Sequence, residues 1–151
     1  MRFLKELKKF FTKESFIVAL VVLIISFIIQ SYISDRNVEN KILQIDEYNL
    51  GVACLILKSV KDEKGMPTLQ YDTMIYKQNL DFIHNRHRNI QVSMLKNISF
   101  MEASNKMIEG GLFGFHANKS EIREKLASLA KDIMQNIKSY DIRISEIECD
   151  Y

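Results

Sequence analysis

The sequence contains no tryptophan, only one proline, Pro67, and only five glycines in 151 residues. With so few breakers, long helices can form over most of the chain, and the frequent turns of a sandwich or barrel lack their usual residues. Cysteine is nearly absent too. Cys54 and Cys149 form no CxxC pair, which removes the common zinc and thioredoxin readings. Either the two are joined, closing a loop of more than 90 residues, or Cys54 is a buried thiol in the apolar run GVACLIL and Cys149 a free one. A large excess of one charge is missing as well: the formal net charge is +2, so no nucleic-acid partner is expected. No nucleophile elbow, P-loop, dinucleotide fingerprint, EF-hand or HExxH occurs, so neither an enzyme nor a cofactor is expected.

An uncharged apolar run is present. Phe16 to Ile33 reads FIVALVVLIISFIIQSYI, of which thirteen residues are Leu, Ile, Val or Phe. At 1.5 Å per residue this is about 27 Å of helix, enough to cross the hydrocarbon core of a bilayer. No small-x-small cleavage pattern follows it, so the sequence predicts a retained signal anchor. Residues 1–15 carry Arg2, Lys5, Lys8, Lys9 and Lys13, whereas only Arg36 and Lys41 lie just beyond the span. The positive-inside rule then keeps the N-terminus cytoplasmic and exports the rest across a cell (inner) membrane. Phe3, Leu4, Leu7, Phe10 and Phe11 recur at helical spacing among the lysines, so residues 1–15 read either as an interfacial helix or as a basic flank.

Residues 34–50 contain neither Gly nor Pro and continue the helix as a stalk. Val38, Ile42, Ile45, Tyr48, Val52 and Leu55 form a stripe suited to another helix, within this domain or from a second copy. Residues 51–151 then form the soluble domain. Over 51–76 two readings stand: a hairpin of 51–60 with 68–76, from the alternation Leu69, Tyr71, Thr73, Ile75, or a helix capped by Thr68 after Pro67. Ile90, Met94, Ile98, Met101 and Ile108 mark one amphipathic helix. Ile122, Leu126, Leu129, Ile133, Ile137 and Tyr140 mark another, with Asn118 and Glu121 as a capping-box-like start. Residues 141–150 alternate as a strand with one slip. The fold class expected is mainly α: a transmembrane helix, a helical stalk and a small helical domain. The alternative is α+β, with the 51–76 hairpin and a C-terminal strand.

Three surfaces are candidate sites. Asp81, His84 and His87, spaced by three, offer the donor types of a zinc site, although a solvated helix end has the same composition. Lys77, Arg86, Arg88 and Lys96 form the one local basic cluster outside the N-terminus and could hold an anion; a helix C-terminus attracts the same residues. In Gly110-Gly-Leu-Phe-Gly-Phe-His116, Leu112, Phe113 and Phe115 supply apolar surface on a backbone freed by glycine, for a partner groove, the bilayer surface or the domain's own core. The anchor, the stalk and the lack of catalytic motifs point to a protein that works by contact. The expected partners are the lipid bilayer, other membrane or envelope proteins of a secretion, conjugation or division complex, and a second copy bound through span and stalk. The alternative function is a membrane-bound defence or toxin effector whose domain senses an anion and oligomerises.

Overall fold

The computed structural model describes residues 13–62, 68–86, 91–109, 119–144 and 149. Every regular element among them is helical: α1 (Lys13–Lys61), α2 (Met74–Gln78), α3 (Leu80–Arg86), α4 (Gln91–Glu109), α5 (Lys119–Tyr140) and a 3-10 turn (Ile142–Ile144). The chain divides into two compact units, 1–39 and 40–151.

Within the first unit, α1 is apolar on all sides, and its large side chains stand exposed, Leu23 at 67% and Phe27 at 73%. A helix that is apolar all round and buries nothing of itself suits hydrocarbon as its solvent, and this one is long and apolar enough to cross a membrane.

In the second unit the core begins at Ile42 and takes Leu50, Val52, Ala53 and Ile56 from α1, Met94, Ile98 and Met101 from α4, and Leu126, Ala130, Ile133 and Ile137 from α5. Helices α4 and α5 pack on each other, and α5 also packs on the 3-10 turn, where Ile144 is fully buried. The α5 stripe read from the sequence supplies the buried Leu126, Ile133 and Ile137, with Ile122, Leu129 and Tyr140 at its margins. The stripe expected on the stalk is rotated. Tyr48 and Leu55 face outward, whereas Asp46 and Asn49 are fully buried beside Ile42, Val52 and Ile56. Residues 42–50 are therefore part of the domain's interior.

The alternative α+β architecture is not formed among the described residues. Residues 51–61 extend α1, because propagating an existing helix fixes one residue per hydrogen bond whereas a hairpin needs a new nucleus, and Val52, Ala53 and Ile56 then reach the core. Residues 68–73 are irregular and Leu69 is exposed; α2 begins only at Met74, after Thr73 rather than after a Thr68 cap. At the C-terminal end, Asp141 turns the chain instead of starting a strand: its Oδ1 accepts the Arg143 N–H at 3.0 Å and its carbonyl the Ile144 N–H at 3.0 Å. Residues 145–148 and 150 of the expected strand, together with Asn118 of the expected capping box, lie outside the described residues.

The bond between Cys54 and Cys149 ties α1 to the C-terminal segment, with Cα atoms 5.4 Å apart. It spans 95 positions of sequence and encloses every element from α2 onward.

Candidate functional site

The interior of the second unit is unusual in the polar groups it holds. Asp46, Asn49, Asn97 and Ser104 are at most 1% exposed and Asp141 is 7% exposed, amid an otherwise aliphatic core. Two of the asparagines named in this interior and its margin have a common task. The irregular segment before α2 has no strand or helix to take up its backbone groups, and buried backbone groups need partners. The Asn49 side chain supplies both partners at Asp72: its Nδ2 donates to the Asp72 carbonyl at 2.8 Å and its Oδ1 accepts the Asp72 N–H at 2.8 Å. On α4, Asn105 does the same for Tyr71, donating to its carbonyl at 2.7 Å and accepting its N–H at 2.8 Å. The Tyr48 hydroxyl donates to the Gln70 carbonyl at 2.9 Å, and Asp72 Oδ1 accepts the Met74 N–H at 2.9 Å. Side chains thus replace a β-ladder along residues 70–74.

This strap delivers Tyr76 to the centre. Its hydroxyl donates to Asp46 Oδ1, accepts from Asn49 Nδ2 at 3.3 Å and accepts from the Tyr140 hydroxyl at 3.2 Å, so its single donor and both acceptor positions are filled. The rings of Tyr76 and Tyr140 meet edge to face, centroids 6.5 Å apart. Directly after Tyr140, Asp141 is held by Arg143 through a two-pronged contact, Nε to Oδ1 at 3.0 Å and Nη2 to Oδ2 at 2.9 Å.

The two carboxyl groups have opposite electrostatic environments. Burial pushes Asp46 up to about 8; the Tyr76 hydrogen bond works the other way, and the negative charge of Asp141 adds to the rise. Burial also pushes Asp141 up, but the guanidinium and backbone N–H of Arg143 outweigh it and hold that carboxyl below the usual range. Burial raises the phenols of Tyr71 and Tyr76 as well, so both stay protonated. Among the described residues, Asp46 Oδ2, the Tyr71 hydroxyl, both amide atoms of Asn97 and Ser104 Oγ have no hydrogen-bond partner. The arrangement can store a proton on Asp46, which is buried together with Asn49 and Tyr76 while Tyr140 and Arg143 reach the margin of the domain.

The sites expected from the sequence lie elsewhere. Lys77 pairs with Glu102 across α2 and α4, and the Lys96 ammonium stands 5.1 Å over the Phe100 ring. Both cations of the basic cluster whose side chains are described are thus already engaged within the domain; the Arg86 side chain and Arg88 lie outside the described residues. Asp81 is exposed and His84 half-buried on α3, His87 lies outside the described residues, and no group of three His, Cys, Asp or Glu able to hold a metal occurs among the described ones. Leu112, Phe113 and Phe115 also lie outside them.

The polar interior did carry a signal in the sequence: Ile42, Asp46, Asn49, Ala53 and Ile56 recur at four, three, four and three, so Asp46 and Asn49 occupy core positions of a helical stripe. Hydropathy rotates that stripe onto Tyr48 and Leu55, which hides it. Compared with protein families, with characterised proteins and with solved structures, the chain matches none.

Proposed function

We propose that the chain is a single-pass membrane protein whose helical domain lies on the exported side of a cell (inner) membrane. There it acts by contact with other membrane or envelope proteins, as a component or accessory of a secretion, conjugation or division complex. The observation that carries this reading is the Cys54–Cys149 bond, because disulfides persist in exported compartments and are rare where thiols are kept reduced. The basic residues before the span favour the same orientation. Exposed apolar side chains on the domain, among them Met74 at 64% and Val92 at 79%, offer contact area.

The deciding experiment labels Cys149 and Cys54 with a membrane-impermeant thiol reagent on intact cells or spheroplasts, before and after reduction. Labelling that appears only after reduction is the expected result. Labelling that requires a permeabilised membrane would place the domain in the cytoplasm and overturn the reading, leaving the anion-sensing effector as the better account.

A further inference from the structure

Asp46 is a carboxyl group with one oxygen bonded to Tyr76 and the other, Oδ2, with no partner although the residue is fully buried. An orphaned buried carboxylate oxygen is costly, and protonation changes what it needs, since a carboxylic acid has a donor to place. A suitable acceptor belongs to the same cluster: Tyr76 bonds both Asp46 and Tyr140, and the next residue, Asp141, adds its negative charge to the surroundings of Asp46 and is kept ionised by Arg143. We propose that Asp46 and Asp141 share one proton as an acid–carboxylate pair, and that this pair is a pH-sensitive latch holding the end of α5 and the turn 141–144 against α1.

The surroundings of the pair favour a single arrangement of that proton. From α1 itself the neighbour is the neutral Asn49; from α2, Tyr76; from the strap, the ionisable Asp72, whose carboxylate is turned to the Met74 N–H; from α5, Tyr140. Helix α4 adds the neutral Asn97, Met101 and Ser104 to this interior and keeps its Glu102 at the surface with Lys77. Arg143 is the cation described here, and both prongs of its guanidinium lie on Asp141, so Asp141 is the carboxylate and Asp46 the acid. Tyr140, half-buried and bonded to Tyr76, connects Asp46 to the margin of the domain by a chain of hydroxyls along which the proton can exchange.

The sign follows from burial. Asp46 is raised from 3.8 to about 8, so between those values the closed latch holds a proton that an opened, solvated Asp46 would release. Closure is therefore strongest near pH 4: it weakens as pH rises from there to about 8 and is constant above that, and at still lower pH protonation of Asp141 loosens its hold on Arg143. The disulfide bounds the motion, because Cys149 stays tied to Cys54 when the turn lifts. A domain outside a membrane meets the pH of its surroundings, and such a latch would convert that pH into exposure of Ile137 and Ile144, both fully buried when it is closed.

The test uses the full-length, oxidised protein in nanodiscs. Infrared spectra with labelled aspartate should show a protonated-carboxyl band at pH 6 that falls to about half near pH 8 and is missing in Asp46→Asn. Burial is the main cause of the rise in Asp46 and the Asp141 carboxylate adds to it, so in Asp141→Asn the band should titrate at lower pH, which keeps the proposal testable if Asp46→Asn does not fold. Hydrogen-exchange protection over 137–144, corrected for intrinsic rates, should fall by about tenfold or more between pH 5 and pH 8 in the wild type. It should stay flat in Asp46→Asn. A missing band at pH 6 overturns the shared proton, and a band that titrates while protection over 137–144 stays constant overturns the latch.

Discussion

Asn49 shows how much can depend on one amide in an interior otherwise built from aliphatic side chains. Its truncation to Ala leaves the N–H and carbonyl of Asp72 without their partners and removes a donor to Tyr76. Unpaired groups of this kind cost about 1–3 kcal/mol each when buried, and Asp72 is half-buried, so Asn49→Ala should lower stability by roughly 2–3 kcal/mol. Chemical denaturation monitored by circular dichroism measures this. Asn49→Asp should fare no better, since it keeps the acceptor but buries a second carboxyl group beside Asp46 and loses the donor. Gly51, two residues along the same helix, carries the opposite expectation. A Cβ built there meets nothing within 4 Å, so Gly51→Ala gains helix propensity without a clash and should stabilise the domain by about 0.5–1 kcal/mol. A loss of stability in that variant would mean that the exposed face of α1 at Gly51 is covered by something other than solvent.

At the scale of elements, the disulfide compensates for a small core closed late in the chain. Joining positions 95 apart removes loop entropy from the unfolded ensemble, worth about 4–5 kcal/mol in the chain-entropy treatment. Cys54→Ser with Cys149→Ser should therefore lower the denaturation midpoint sharply, and reduction of the wild type should reproduce the loss. Helix α5 was legible because Leu126, Ile133 and Ile137 keep one helical face apolar without interruption, which is the condition periodicity detects. The long apolar helix over 16–33 was legible for a simpler reason, its length of uncharged sequence. Residues 51–76 were not, since GVACLILKSV suits both periods and the choice was made by the helix already running into it from Asn40. The strap at 70–74 escaped the sequence entirely. Its alternation of Leu69, Tyr71 and Thr73 belongs to a half-buried strand, yet its backbone partners are the amides of Asn49 and Asn105, 23 and 34 positions away. The proton-storing pair was hidden likewise, because an Asp followed by Glu47 in a helix reads as surface, and only tertiary packing turns Asp46 inward.

At the scale of the whole molecule, the chain falls into two kinds of surface. The apolar residues of 16–33 bury nothing within the protein, and among the described residues every member of the hydrophobic core stands at Ile42 or beyond. The second unit thus closes on itself with its own disulfide. Residues 40–151 produced alone under oxidising conditions should be soluble without detergent, show a helical spectrum, and unfold cooperatively with a pH dependence like that of the full chain. The reason is that among the described residues truncation before Asn40 deletes no buried side chain and leaves the Asp46, Tyr76, Asp141 and Arg143 contacts in place. The new helix end at residue 40 exposes unpaired N–H groups, a cost confined to the first turn and met by water. A piece that gains structure only when lipid or detergent is added would show that the membrane contributes to folding the domain, and that the charged and polar residues 34–41 are more than a passage between the two units.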